Sequence, residues 1–128
     1  MKKQYLLLID DDPDEFVFLL SAGSKVPGLF EYSYAVSADA AFAMFDDFRP
    51  DYILMDMNMP IVNGLECVRR IKSSDGLSKI PVFIYTTGFD ETLKKKALNI
   101  GASGCVRKPT QPRALVSMLE NLHSRGTL

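Results

Sequence analysis

Five residues of this sequence have side chains that could together transfer a phosphoryl group: Asp10, Asp11, Asp56, Thr86 and Lys108. If the three carboxylates lie roughly 5 Å apart, each pair repels by about 3 kcal/mol at an effective dielectric constant of 20. A hard divalent cation would relieve this repulsion, and Mg²⁺ suits a site with few carboxylates because it keeps several waters and accepts a phosphate oxygen. A carboxylate beside that cation and a lysine can attack phosphorus to give an aspartyl phosphate, while a threonine hydroxyl donates to a phosphoryl oxygen.

The elements that must position these residues are five strands that alternate with five helices. Apolar runs predict strands over residues 5–9, 30–36, 52–55, 82–85 and 104–106. Apolar residues at helical spacing predict helices over residues 14–24, 38–48, 64–72, 92–100 and 113–122. The alternation is typical of a doubly wound α/β fold, a five-stranded parallel sheet with helices on both faces. Residues 30–36 alternate more in polarity than the other strands, which indicates an edge strand.

Polar residues follow four of the predicted strands, at residues 10–12, 56–58, 86–88 and 108–109. In open parallel sheets, ligands bind outside the carboxyl ends of the strands, where the strand order reverses. We therefore expect the five residues that could transfer a phosphoryl group to converge at one edge of the sheet. Asp12, Pro13 and Glu15 instead fit an N-cap, a proline at N1 and a capping-box acid at N3. The three lysines at residues 94–96 are interpreted as a solvated helix face.

Length, charge and cysteine usage exclude several other classes of protein. A chain of 128 residues has the size of one domain. Its net charge of -1 lacks the positive excess that binding to a nucleic-acid backbone requires. Cys67 and Cys105 show no disulfide or metal-binding spacing, and we expect free thiols. No signal peptide or membrane-spanning stretch is evident, so the expected location is the cytoplasm.

These motifs resemble the receiver domains of bacterial response regulators, the chemotaxis-type family of two-component signalling, over essentially the whole chain. The acidic pair is Asp10-Asp11, and the acceptor Asp56 lies in the segment 54–60, with Gly64 following. The hydroxyl residue is Thr86 and the lysine is Lys108, which precedes a proline. Thr86 and Lys108 follow Asp56 by 30 and 52 residues, and the family shows the same spacings.

The resemblance implies the flavodoxin-like strand order 2-1-3-4-5 and phosphorylation on Asp56. It also implies a site for Mg²⁺ or Mn²⁺, with Asp11, Asp56 and the backbone carbonyl of Asn58 as direct ligands and Asp10 holding a metal-bound water. The implied partners are a histidine kinase or a histidine phosphotransfer protein, which donates the phosphate, and a downstream protein target. Direct binding to nucleic acid or a membrane is not expected.

Thr86, Thr87 and Cys105 take the positions of the family's switch residues, and two of them depart from its pattern. Cys105 stands where the best-known receivers have an aromatic residue that turns inward as the threonine loop closes, and Thr87 replaces a common alanine. Thr110 replaces a frequent phenylalanine on a face that many receivers use to dimerise. We therefore expect readout through the backbone or neighbouring side chains, and an effect of Thr87 on phosphoryl transfer or hydrolysis.

Residues 1–128 are thus expected to form a single receiver domain, a signalling switch that assists only its own phosphorylation and dephosphorylation. An aspartate-nucleophile phosphatase with a DxDxT motif is one alternative, but Asn58 stands where its general acid would be. A flavodoxin-like cofactor protein is a second, but residues 10–12 would repel the phosphate of FMN. The third is an adaptor that works without phosphorylation, for which the full set of acidic, hydroxyl and lysine residues would be unnecessary.

Overall fold

The computed structural model describes residues 3–128, in which five strands alternate with five helices. The strands are β1 (Gln4–Ile9), β2 (Phe30–Ala35), β3 (Tyr52–Met55), β4 (Val82–Thr86) and β5 (Gly104–Arg107). The helices are α1 (Pro13–Gly23), α2 (Ala38–Phe45), α3 (Gly64–Lys72), α4 (Glu91–Asn99) and α5 (Pro112–Arg125). The predicted number, type and order of elements are confirmed.

All neighbouring strands pair in parallel, and their order across the sheet is β2-β1-β3-β4-β5. This confirms the doubly wound, flavodoxin-like fold with strand order 2-1-3-4-5, and it places β2 at an edge, as its alternating polarity predicted. In β1, Leu7 and Ile9 pack with α2, α3 and α4 on one face of the sheet. Leu6 and Leu8 pack with α1 and α5 on the opposite face. Because successive side chains of a strand point to opposite faces, a continuously apolar β1 supplies both cores.

Four of the helices begin at a polar residue whose side chain accepts a backbone N–H of the first turn. These N-caps are Asp12, Ser37, Asn63 and Asp90. Helix α4 is followed by Gly101, whose φ of 106° lies in the left-handed region that favours glycine. These caps satisfy backbone N–H groups of the first turn and so fix where the four helices begin.

Helix α2 ends at Phe45, so the predicted helix over residues 38–48 is three residues too long. The N–H of Asp47 turns back to the carbonyl of Met44, and Pro50 disfavours helical backbone at the residue before it. Phe48 nevertheless packs edge-on against the ring of Tyr5, with 5.8 Å between ring centroids. Its apolar character therefore reflects a packed turn and not a further helical turn.

Both cysteines are free, as expected: Cys67 is buried in the core and Cys105 is half-buried on β5. Across residues 3–128, none of the helices combines the length and the apolar composition that crossing a bilayer would demand.

Candidate functional site

The carboxylates of Asp10, Asp11 and Asp56 meet at the carboxyl edge of the sheet. Strands β1 and β3 are neighbours with Ile9 opposite Met55, so Asp10 and Asp56 leave the sheet side by side. The N–H of Asp56 extends this pairing by donating to the carbonyl of Ile9 at 2.8 Å. Each of the three aspartates offers an oxygen within 4.8 Å of the others. Asp10 and Asp56 are buried, whereas Asp11 is exposed.

Lys108, just after β5, brings a cation into this cluster from the other half of the sheet. Its Nζ lies 2.8 Å from Oδ2 of Asp10, 3.3 Å from Oδ1 of Asp56 and 3.9 Å from Oε2 of Glu15. The backbone N–H of Lys108 donates to the carbonyl of Thr86 at 2.8 Å, which fixes where the lysine side chain starts. Only 10% of that side chain is exposed, so its charge acts on the aspartates with little screening by solvent.

Thr86 and Thr87 follow one another at the end of β4 but differ in exposure. Thr86 is buried, while Thr87 is exposed and lines an open groove of about 370 Å³ together with Glu15, Lys108 and Pro109. The predicted hydroxyl residue therefore lies at the strand end beside Lys108, and Thr87 lines the groove next to that lysine.

The loop after Asp56 is held against the start of α3 by Gly64. The N–H of Gly64 donates to the carbonyl of Met57 at 3.0 Å. A Cβ at Gly64 would overlap the carbonyl oxygen of Asp56 and would lie 2.9 Å from Cα of Met57, so this position requires glycine. Asn58 is exposed in the same loop, and its carbonyl accepts no backbone hydrogen bond from residues 3–128. That carbonyl is available as an oxygen ligand.

Burial and charge raise the pKa of both Asp56 and Lys108, but for different reasons. Burial, together with the negative charge of Asp10, raises the pKa of Asp56 to about 6, and Lys108 offsets part of this effect. For Lys108, burial alone would lower the pKa, but the hydrogen bond to Asp10 and the nearby carboxylates outweigh it and raise the pKa. One ammonium therefore serves several carboxylates, and the cluster keeps an excess of negative charge.

The donor set fits a small divalent cation. Carboxylate oxygens of Asp10, Asp11 and Asp56 and the free carbonyl of Asn58 are hard ligands of the kind that Mg²⁺ and Mn²⁺ prefer. A cation there would offset both the burial of Asp56 and its repulsion from Asp10, the two causes that raise the Asp56 pKa. These four residues are the ones that would hold the ion.

Glu15 and Tyr34 belong to the site although the sequence did not assign them to it. The prediction of Glu15 as a capping-box acid is wrong: the N–H of Asp12 donates to Oδ1 of Asp10 at 2.9 Å, and the Glu15 carboxylate lies toward Lys108. Asp12 is confirmed as the N-cap, because its side chain accepts the N–H of Asp14. The hydroxyl of Tyr34 donates to the Asp10 carbonyl at 2.7 Å and so supports the acidic pair from β2. A polar aromatic residue near the end of a strand adjacent to β1 was the available signal.

Cys105 lies in a groove where an aromatic ring is supplied from elsewhere. Cys105, Arg107 and Phe89 line one open groove beside α5, and the Arg107 guanidinium stacks over the Phe89 ring at 5.2 Å. Phe89 belongs to the loop that starts at Thr87. Burial raises the pKa of the Cys105 thiol, so this thiol is not activated as a nucleophile.

Comparison with known sequences gives a family that covers most of the chain. The model of the response regulator receiver domain matches residues 6–120. The phosphate regulon transcriptional regulatory protein PhoB of Pseudomonas aeruginosa is 32% identical over 114 residues, which cover 89% of this chain and 49% of that protein. The probable transcriptional regulator ycf29 of Porphyra purpurea is 33% identical over 99 residues, or 77% of this chain and 47% of that protein. The chain thus spans about half the length of these curated relatives.

Solved structures show the same fold over almost the whole chain. The phosphorylated cyanobacterial phytochrome response regulator RcpA matches with a TM-score of 0.83 at 20% identity, covering 98% of this chain and 97% of that chain. The chemotaxis response regulator CheY4 of Vibrio cholerae matches with a TM-score of 0.82 at 25% identity, covering 94% of this chain and 99% of that chain. Taken with the match of the family model to residues 6–120, the chain belongs to the response regulator receiver domains of two-component signalling.

Proposed function

We propose that this receiver domain accepts a phosphoryl group on Asp56 and that phosphorylation changes its affinity for a downstream protein. The observation that supports the proposal most directly is the position of Lys108, 3.3 Å from the Asp56 carboxylate and 2.8 Å from Asp10. A buried carboxylate beside a fixed ammonium and two further acids is suited to phosphoryl transfer, which depends mainly on positioning and on neutralising charge.

In the proposed reaction, a carboxylate oxygen of Asp56 attacks the phosphorus of a phosphohistidine on a histidine kinase or a histidine phosphotransfer protein. The new bond is the O–P bond of an acyl phosphate, the P–N bond to the donor breaks, and the imidazole nitrogen leaves with the electron pair. Lys108 holds Asp56 in the ionised form and pairs with a phosphoryl oxygen, and the Thr86 hydroxyl donates to another. Hydrolysis of the acyl phosphate by water resets the switch.

Mg²⁺ or Mn²⁺ held by Asp11, Asp56 and the Asn58 carbonyl, with Asp10 nearby, would neutralise charge on the transferred group. Asp10 accepts the N–H of Asp12 and contacts Lys108, so it is better placed to orient the site than to react. Asp11 is exposed and free to turn toward an ion. The roles assigned to these residues rest on the geometry of the acidic cluster and on membership of the family.

We further propose that the signal leaves the site through the loop from Thr86 to Phe89. The compact side chain of Cys105 cannot sweep the volume of an aromatic ring, but the Phe89 ring already lies against Arg107 at the same groove. A shift of Thr86 toward a phosphoryl group would pull the adjoining Thr87 with it and so move the Phe89 ring, which lies in the same loop. If structures with and without a bound phosphoryl mimic had identical surfaces from residue 90 to residue 107, this readout would be excluded.

Residues 1–128 are proposed to act as one receiver domain, located in the cytoplasm, that assists only its own phosphorylation and dephosphorylation. The net charge of -1 favours a protein target over direct contact with nucleic acid.

The test of the acceptor is incubation with a small-molecule phosphodonor and Mg²⁺, followed by intact mass measurement. Wild type is expected to gain one phosphoryl group and Asp56→Asn none. Asp75→Asn serves as the matched control, because Asp75 is an exposed aspartate outside the site. An adduct that persists in Asp56→Asn would refute the assignment of the acceptor.

A further inference from the structure

The charges of this domain are separated along the chain and therefore across the sheet. Residues 1–60 contain eleven acidic residues and four lysines or arginines, whereas residues 61–128 contain five acidic residues and eleven lysines or arginines. The first part forms β1, β2 and β3 with α1 and α2, and the second part forms β4 and β5 with α3, α4 and α5. A nearly neutral net charge thus conceals a negative side toward β2 and a positive side toward β5.

A groove of about 540 Å³ lies on the positive side between α3 and α4. Arg69 and Lys96 contribute its cations, Leu65 and Ile100 contribute its apolar surface, and Asn63 and Asn99 contribute amides. We call this surface the α3–α4 groove. Both apolar residues are partly buried and pack against the core, so the floor of the groove is continuous with the core below it.

Helix α4 divides its three consecutive lysines between different surfaces. Ala97 is buried, and the helical period of 3.6 residues then turns Lys96 and Asn99 toward α3 while Lys95 points outward. Lys94 lies on the opposite side, near enough to Cys105 for its charge to act on the thiol. All three lysines are exposed, as the sequence predicted, and Lys96 also lines the groove.

Glu66 is the one carboxylate lining the groove, and two arginines already share it. Arg69 Nη1 lies 3.0 Å from Glu66 Oε1, and Arg70 Nε lies 3.5 Å from Glu66 Oε2. These pairs are exposed, and exposed pairs contribute little to stability. An incoming carboxylate could replace Glu66 at either guanidinium, and Lys96 across the groove would add a second positive charge.

We propose that the α3–α4 groove binds an acidic segment of a partner protein that also carries an apolar side chain. Cations at the rim match its carboxylates, the Leu65 and Ile100 floor matches the apolar side chain, and the Asn63 and Asn99 amides can pair with peptide groups. A nucleic acid would supply phosphates but would leave the apolar floor of Leu65 and Ile100 uncovered. The composition of the groove therefore favours a peptide.

The two walls of the groove start at the two loops of the acceptor site. Helix α3 begins beside Asp56, where Gly64 packs on its carbonyl, and α4 begins after the loop from Thr87 to Asp90. A change in either loop would tilt one wall against the other and alter peptide affinity. This regulatory step, unlike the binding itself, rests on the proposed phosphorylation of Asp56.

The binding is tested by fluorescence anisotropy with a labelled peptide that alternates glutamate and leucine, in physiological salt and without phosphodonor. The double variant Arg69→Glu and Lys96→Glu is expected to weaken binding by about tenfold or more. Its matched control is Lys25→Glu and Arg113→Glu, which makes the same change in net charge at a separate surface and is expected to change affinity less than about twofold. Unchanged thermal unfolding of both variants would show that each is folded.

Amide shifts in NMR spectra of the wild type with the peptide should lie within residues 63–70 and 92–100. Equal loss of binding in both double variants, shifts centred outside these segments, or tighter binding of a single-stranded DNA or of vesicles with anionic lipid would each overturn the proposal. The peptide assay contains no phosphodonor, so its result does not depend on phosphorylation of Asp56. Failure of phosphorylation would thus leave the binding result intact and would overturn only the regulatory step.

Discussion

The Lys108 ammonium lies 3.3 Å from the Asp56 carboxylate, although 52 residues of chain separate the two. This contact spans β4 and joins the two halves of the sheet through their charges. Lys108→Ala should remove the fixed cation, raise the pKa of Asp56 further above about 6, and slow phosphorylation by about 10²-fold, the effect typical of losing one preorganised charge. The measurement is the rate at which a phosphodonor forms the mass adduct. Arg107→Ala, which alters the neighbouring exposed cation, is the control, and a Lys108→Ala rate within about twofold of wild type would exclude the assigned role.

Asp56→Asn should stabilise the metal-free protein in a manner that depends on pH. The folded pKa of Asp56, about 6, lies above its ordinary value of 3.8, so the folded state binds this proton more tightly than the unfolded state does. Stability from this group is then greatest below about pH 4 and falls as pH rises to about 6. At pH 7.5 the free energy of unfolding of the variant should exceed that of wild type by about 3 kcal/mol, and the difference should vanish below about pH 4. Urea unfolding in EDTA measures it, with Asp75→Asn as control; a difference independent of pH would contradict the cause assigned.

Mg²⁺ should stabilise the folded domain, because the site proposed for it is a cluster of aspartates that exists only after folding. An ion at about 100 times its dissociation constant adds about 2.7 kcal/mol, which raises the Tm by several degrees. Asp11→Asn should lose most of this shift while keeping the Tm of the metal-free protein, because Asp11 is exposed. Differential scanning calorimetry with and without Mg²⁺ gives both values. An equal Mg²⁺ shift in wild type and Asp11→Asn would remove Asp11 from the ligand set.

Gly64→Ala should destabilise the domain by about 3 kcal/mol, since the new methyl group meets the backbone of Asp56 and Met57 and no flexible side chain can yield. Gly88→Ala is the control, because a methyl group there has only the end of the Arg107 side chain within 4.0 Å. Chemical denaturation of both variants tests the difference. Similar stability of the two variants would mean that the loop after Asp56 can move away from α3 at little cost.

Thr87→Ala should open the approach to Asp56 and change the lifetime of the acyl phosphate. Thr87 lines the groove that leads to Lys108, and removing its hydroxyl and methyl groups admits water more readily. We expect hydrolysis to become about threefold faster, equivalent to somewhat under 1 kcal/mol in the barrier. The decay of the mass adduct after removal of the phosphodonor measures this rate. Unchanged phosphorylation and decay rates would show that Thr87 only borders the site.

Much of the fold was predictable because local patterns of polarity in the sequence indicate the type of each element and the place of each strand in the sheet. A continuous apolar run predicts a central strand such as β1 or β3, and alternating polarity predicted that β2 is an edge. The ends of parallel strands meet at one edge, so the convergence of Asp10, Asp56 and Lys108 followed from their positions after apolar runs. The end of α2 was missed, since helical periodicity continued to Phe48 although the turn at Asp47 and Pro50 had already stopped the helix.

The neighbours of the site could not be predicted in the same way. Glu15 satisfies a local capping pattern, but the buried Asp10 takes the N–H of Asp12 and Lys108 attracts the Glu15 carboxylate. Tyr34 reaches Asp10 across the pairing of β1 with β2, and Phe89 reaches Arg107 across a loop. These contacts depend on the direction of side chains from separate elements, which periodicity does not encode.

Because Ile9 pairs with Met55, the site should tolerate insertions in loops but not deletions within the paired strands. The distance from Asp10 to Asp56 is set by the register of β1 on β3 and not by the residues between them. Insertions in the loop over residues 24–29 should therefore leave the carboxylates in place. Deleting one residue inside β1 would displace the acidic pair by about 3.3 Å and turn its side chains to the opposite face.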